Sequence, residues 1–301
     1  MKEFIIKICP FLMLMLIWAC NDPAPVQLLY DDSNDYNIEL IPEPDVYVTS
    51  STYDSTGIVD QTQKYSTVIL INGIKTTYGR LTSQQFYAAA LFSDNNQPVT
   101  NSEGKFLGYK LKIMGKVSFG NLEARIVSRN ISFMSMGQMR DTLLGQYYEL
   151  KNGMGQGHMH QLQFPYNSSI NFKLDPITKL PITFNIPTPS EITGNIKISG
   201  TVKENNISIA VEWNSENDNM ITLILGAQKN INDITPLIRV TVKDNGKFIF
   251  PKELLKNIPF HRLASLAIIL ERQKTLLIEN TELSDNLIQS KSIHNIRFNV
   301  P

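Results

Sequence analysis

Residues 207–213, ISIAVEW, give the clearest indication of the fold class of this chain. Apolar side chains recur at every second position, and the positions between them carry small or charged side chains: Ile207, Ile209, Val211 and Trp213 against Ser208, Ala210 and Glu212. A period of two places the apolar set on one face of an extended strand. The segment therefore predicts a half-buried antiparallel strand with Trp213 packed at one end of a core.

The same pattern extends in both directions along the chain. Short runs rich in Val, Ile, Tyr, Phe and Thr alternate with clusters of Asn, Asp, Gly and Ser, which is typical of strands joined by turns. The predicted strands are 67–72, 86–92, 106–114, 122–127, 146–150, 158–164, 169–174, 182–186, 196–202, 207–213, 220–226, 237–242, 247–250, 263–270, 275–278 and 293–300.

Three segments qualify this pattern. Residues 81–92 contain Ala88-Ala89-Ala90, which favours a helix as the alternative to a strand. Residues 251–258 predict one short helix that begins at a proline. Asp244-Asn245-Gly246 predicts a tight hairpin turn, because Asn and Gly tolerate positive φ.

Four prolines between residues 176 and 189 indicate a domain junction or a sheet edge, because proline cannot donate to a ladder. We therefore expect an all-β protein with two β-sandwich domains of the immunoglobulin-like kind, at residues 46–176 and 177–301. An acidic tether at residues 20–45 precedes them.

The amino-terminal segment 8–22, ICPFLMLMLIWACND, has a different character. Its run 8–18 is uncharged and shorter than the roughly 20 residues that span a bilayer. Lys2 and Lys7 precede it, which is typical of a secretory signal. The alternatives are an ordinary signal with a coincidental cysteine and a buried helix of a cytoplasmic protein.

The residues Ile17, Trp18 and Ala19 before Cys20 resemble a bacterial lipobox, with an aliphatic residue three positions before the cysteine and a small residue directly before it. The resemblance implies that residues 1–19 are removed as a signal peptide and that Cys20 is acylated, by a diacylglycerol thioether and an amide-linked chain such as palmitate. More than one acyl chain gives stable membrane attachment. We expect a protein of the bacterial cell envelope, anchored to the outer membrane on its periplasmic or surface side.

Charge is distributed unevenly, although the net charge is zero. Nine acidic residues and no basic ones lie between Cys20 and Lys64, whereas the rest of the chain carries a basic surplus. This pattern indicates an extended acidic spacer. The surplus is modest and unclustered, so nucleic acid is excluded as an expected partner.

No HExxH, P-loop, GxSxG or CxxC motif occurs, so we do not expect an enzyme. One group of residues favours metal chemistry: His158 and His160 share one side of a predicted strand, with Met154 upstream and Met134, Met136 and Met139 before it. Imidazole and thioether ligands suit copper. His261 and His294 are interpreted as packing or surface positions.

These observations favour a lipid-anchored envelope protein with a non-enzymatic binding, adhesive or structural role. The chain is similar in style to the β-sandwich lipoproteins of Bacteroidota, including adhesin-like and fimbrillin-like ones. That similarity implies another envelope protein or a glycan as partner, besides the membrane. The alternatives are a copper- or cofactor-capturing lipoprotein that uses His158, His160 and Met154, and an exported glycan hydrolase with paired carboxylates.

Overall fold

A computed structural model describes residues 36–41, 46–48, 65–151, 163–177, 179–204, 206–216, 219–230, 233–256, 258–279, 283 and 285–300. Most of these residues lie in strands, and the described part of the chain has one α-helix, α1 (Lys252–Leu255). The all-β, sandwich-like class predicted from the sequence is therefore confirmed.

Eleven strands form one long sheet. In spatial order they are β1 (Tyr36–Leu40), β15 (Asp233–Lys243), β14 (Met220–Asn230), β17 (Ser265–Leu276), β18 (Asn286–Asn299), β3 (Thr67–Tyr78), β4 (Leu81–Thr100), β5 (Phe106–Leu111), β9 (Gln138–Lys151), β8 (Arg125–Ser135) and β2 (Val46–Val48). The pairs are antiparallel except β18 with β3 and the single contact of β5 with β9.

Two smaller sheets pack on one face of the long sheet. The four-stranded sheet has the order β11 (Ile182–Pro187), β10 (Ser169–Pro176), β6 (Gly115–Phe119) and β7 (Leu122–Glu123). The three-stranded sheet has the order β12 (Gly194–Ser199), β13 (Ser208–Trp213) and β16 (Lys247–Ile249). Each small sheet shares a separate hydrophobic cluster with the long sheet.

A third cluster lies on the opposite face of the long sheet. It includes Val68 of β3, Ile224 of β14, Ile269 of β17 and Ile131 of β8, all buried. We call this face the inner face, because the sheet curves around it. Edge strands β1 and β2 are separated by only residues 41–45, which span at most about 20 Å. A flat sheet of eleven strands would put its edges about 48 Å apart, so the sheet must curl.

Strand β13 has the alternation that the sequence predicts. Ile209, Val211 and Trp213 are buried in the cluster beneath the three-stranded sheet, while Glu212 is exposed. The ambiguous residues 81–92 are strand and belong to the 20-residue β4. Ala88, Ala89 and Ala90 are buried there because β4 lies in the middle of the sheet and carries a cluster on each face.

The prediction of a hairpin at Asp244-Asn245-Gly246 is wrong. The turn is present, with φ +90° at Gly246, but β15 before it pairs in the long sheet and β16 after it pairs with β13. The chain crosses between layers here because the Asp244 side chain is buried against Arg272 and Trp213 instead of facing solvent.

The predicted domain boundary lies between β10 and β11, which pair with each other in six registered positions from Ser169–Pro187 to Leu174–Ile182. The long sheet takes strands from both sides of this boundary. The division of the chain into two folding units stays a prediction. Among the described residues, no helix is long and apolar enough to cross a bilayer.

Candidate functional site

The residues that the sequence singles out for lipidation or metal binding, Cys20, Met154, His158 and His160, lie outside the described residues. Within the described ranges, no three His, Cys, Asp or Glu side chains are grouped as ligands for a metal ion. The best candidate for a binding site is instead a group of polar side chains that the sequence does not reveal.

These polar side chains lie on the inner face of the curled sheet, on the adjacent strands β17, β18 and β3 and on β15, which β14 separates from β17. The unbroken registers of β17 with β18 and of β18 with β3 place them on the same side as the third hydrophobic cluster. The residues, which we call the inner polar group, are Asn72 of β3, Arg239 of β15, Glu271 of β17, and Lys291, Asn295 and Arg297 of β18.

Seven buried side-chain atoms of the inner polar group have no hydrogen-bond partner in the described part of the chain. They are Asn72 Oδ1, Arg239 Nε and Nη2, Glu271 Oε1, Asn295 Nδ2 and Oδ1, and Arg297 Nε. An unpaired buried polar atom costs about 1–3 kcal/mol. Native proteins retain few such atoms, so their concentration on one face indicates that bound water or another molecule makes these bonds.

Ion pairs fix part of this group. Lys291 Nζ lies 3.3 Å from Glu271 Oε2, and Arg239 Nη1 lies 2.9 Å from Glu39 Oε2. Arg297 has no carboxylate partner among the described residues, although its exposure is only 9%. These contacts hold the paired side chains in position, while Glu271 Oε1 and Arg239 Nε and Nη2 are buried without a hydrogen-bond partner in the described part of the chain.

The unpaired atoms include both kinds of hydrogen-bonding group. The arginine nitrogens and Asn295 Nδ2 donate, while Asn72 Oδ1, Glu271 Oε1 and Asn295 Oδ1 accept. An anion would satisfy only the donors, and a cation only the acceptors. A hydroxyl group donates and accepts at once, so the arrangement suits a molecule rich in hydroxyl groups.

A second polar group, on the opposite face of the long sheet, is fully bonded. Arg272 contacts Asp244, Ser190 and the carbonyl oxygen of Asn214, and Asp244 accepts from Trp213 Nε1 at 2.7 Å. Since each group finds its partners within the protein, this network stabilises the junction between the layers and offers nothing to a ligand.

His294 also lies on that opposite face, where it is buried. Its Nδ1 accepts from the Gly194 N–H at 2.9 Å, so the neutral ring carries its proton on Nε2 and donates to Thr77 Oγ1 at 2.9 Å. Burial, with a smaller contribution from the charge of Lys75, lowers the pKa of His294 to about 4. The residue packs as a neutral imidazole.

An open cleft of about 250 Å³ lies at the three-stranded sheet, lined by Val202, Ile207, Ile258, Phe260 and His261. His261 Nε2 accepts from Arg262 Nε at 3.3 Å. One imidazole among apolar side chains supplies too few converging polar groups to orient a ligand.

Little in the sequence points to the inner polar group. The two charged residues Glu271 and Arg272 indicate the end of a strand in the sequence. In the structure they lie within β17, with their side chains buried on opposite faces. Asn295 and Arg297 alternate with apolar residues as solvent-facing positions do. No protein-family model, curated protein or solved structure matches this chain.

Proposed function

We propose that this protein is a lipid-anchored component of a bacterial envelope that acts by binding a hydroxyl-rich molecule, such as a glycan, without transforming it. The signal-like segment and the lipobox at Cys20 support the anchor. The seven unpaired polar atoms on the inner face carry the proposal of binding.

A sugar accounts for the features of this face better than a charged ligand does. Its hydroxyl groups pair with the donors of Arg297 and Arg239 and with the acceptors of Asn72 and Glu271. The buried apolar side chains of the third cluster, such as Ile269 and Ile293, lie beside these groups and offer contact to the C–H faces of a sugar ring.

The test is a thermal-unfolding screen of the full-length protein in detergent with a panel of monosaccharides and short oligosaccharides. A ligand that binds only the folded state raises stability by about 2.7 kcal/mol when its concentration is 100 times the Kd. We expect at least one sugar to raise the unfolding midpoint of the unaltered protein, with a shift that grows with the logarithm of its concentration above the Kd.

Asn295→Leu removes the donor and acceptor at the centre of the inner polar group, so it should abolish this sugar-dependent shift. The matched control is Asn171→Leu, on the exposed face of β10, where Asn171 Nδ2 donates to Asn185 Oδ1 at 3.1 Å. The control should retain the shift. If no sugar stabilises the protein, or if Asn295→Leu responds as the unaltered protein does, binding at the inner face is wrong.

A further inference from the structure

Three methionines lie together at the exposed tip of the hairpin formed by β8 and β9. Met134 pairs directly with Met139, and Met136 lies in the turn between them. Met134 is 49% exposed, Met136 is 77% exposed and Met139 is 57% exposed. Methionine in a β protein normally fills gaps in a core, and none of these three does so.

The register brings the first two side chains close together. Ser135 and Gln138 close a two-residue turn, so Met134 and Met139 occupy the next pair along the hairpin, on one face of it. In such a non-hydrogen-bonded pair the Cβ atoms are about 4.5–5.5 Å apart. Two flexible thioethers starting at that separation can bring both sulfur atoms to one ion.

The turn itself gives no reason for a methionine. Met136 has φ +50° and Gly137 has φ +74°, the two positive values of a type I′ turn. Asn and Gly adopt positive φ at low cost, whereas a longer L side chain is strained there by about 1–2 kcal/mol. Met136 is therefore retained at the apex at a cost to stability, as strained residues at ligand sites are.

A carboxylate braces the tip from the neighbouring turn. Glu103 Oε1 accepts from Ser135 Oγ at 2.9 Å and from the Met136 N–H at 3.3 Å. Asn101 Oδ1 in turn accepts from the Glu103 N–H at 3.0 Å. The hairpin end is thus fixed to the body of the protein through Ser135 and the backbone of Met136, which leaves the Met134 and Met139 side chains on the opposite, exposed face.

From this geometry we infer that Met134, Met136 and Met139 form a binding site for a soft monovalent cation, Cu⁺ or Ag⁺. Thioether sulfur selects such ions over hard cations. The inference goes beyond the proposed function and does not depend on sugar binding or on His158 and His160.

The direct test is titration of the full-length Cys9→Ser/Cys20→Ser protein in detergent with Ag⁺ in chloride-free nitrate buffer, because a free thiol would bind Ag⁺ before any thioether does. Isothermal calorimetry measures the affinity, and NMR of ¹³C-methyl-labelled methionine reports which thioethers respond. We expect saturable binding with shifts of the Met134, Met136 and Met139 methyl signals. Met220, which is 48% exposed on another strand, should not shift.

The variant Met134→Leu/Met136→Leu/Met139→Leu keeps the size and shape of all three side chains and removes the sulfur atoms. It should weaken Ag⁺ binding by more than about tenfold. Met220→Leu and His158→Ala/His160→Ala should leave the affinity unchanged. The inference is overturned if the three methyl signals do not shift, or if the histidine variant and not the methionine variant loses binding.

Discussion

Arg272 and Asp244 form an ion pair that is almost completely buried, with Arg272 Nη2 2.6 Å from Asp244 Oδ2. The exposures of their side chains are 2% and 0%. The pair joins β17 of the long sheet to the turn through which the chain crosses to the three-stranded sheet. It therefore connects the two layers that enclose one hydrophobic cluster.

Asp244→Ala should destabilise the protein by about 3–5 kcal/mol, because it leaves the buried Arg272 guanidinium with only the longer, 3.7 Å contact to the partly exposed Glu216 carboxylate as counter-charge. Urea unfolding followed by circular dichroism measures the change. The control is Glu212→Ala, which breaks the exposed 2.6 Å pair with Lys197 and should cost less than about 1 kcal/mol. Equal effects of the two variants would contradict a structural role for the buried pair.

The second prediction concerns pH. The pKa of His294 is lowered to about 4 by burial and by Lys75, against 6.5 for the unperturbed group. Above pH 6.5 the ring is neutral in both states and contributes no pH dependence. As the pH is lowered from 6.5 to 4, only the unfolded chain takes up the proton. The free energy of unfolding therefore falls by at most about 1.4 kcal/mol for each pH unit.

His294→Gln removes this titration, and its free energy of unfolding should decline less steeply over that window than that of the unaltered protein. The difference between the two curves of unfolding free energy against pH isolates the histidine, because the carboxylates titrate in both proteins. His261→Gln, at an exposed histidine, should follow the unaltered protein. Parallel curves for His294→Gln and the unaltered protein would show that the ring is not held neutral.

The third prediction concerns close packing between β3 and the segment that precedes β10. A Cβ atom at Gly73 would lie 2.5 Å from Cγ of Phe164, which is buried. Gly73→Ala should therefore cost about 1–3 kcal/mol through overpacking. In a double-mutant cycle, Phe164→Leu should relieve part of this cost. Additive effects, measured by urea unfolding, would mean that the two residues do not meet.

The fourth prediction separates stability from binding at the inner face. Asn295→Leu replaces an amide with two unpaired buried atoms by an apolar side chain of similar size, so it should stabilise the sugar-free protein by about 1 kcal/mol. The increase is expected because binding groups are retained at a cost to stability. A loss of stability in urea unfolding would show that Asn295 has a partner in the folded protein.

The sequence predicts the strand at residues 207–213, where one face is exposed to water, because the alternation of apolar and polar side chains is visible there. It misses β6 (Gly115–Phe119) and most of β8 (Arg125–Ser135), although both have exposed positions. It does not reveal the length of β4, since Asp94-Asn95-Asn96-Gln97-Pro98 has the composition of a turn. The strand passes through it with an irregular register between Asp94 and Pro98. The composition of residues 94–98 cannot show that pairing with β5 keeps them extended.

The inner polar group cannot be predicted from the sequence for a related reason. Asn295 and Arg297 alternate with Ile296 and Phe298 in β18, and alternation of this kind indicates a face exposed to water. The curl of the long sheet buries that face, and the curl depends on the order of eleven strands. Sheet order arises from contacts between residues far apart in the chain, which a period of two does not encode.

We propose that this protein is fixed to an envelope membrane through Cys20. The most direct test is mass spectrometry of the amino-terminal peptide from the membrane fraction of bacteria that produce the full chain. We predict that the mature chain begins at Cys20 and that this residue carries a diacylglycerol thioether. An unmodified thiol at Cys20, or an intact segment 1–19 on the mature protein, would show that the protein is not anchored through this residue.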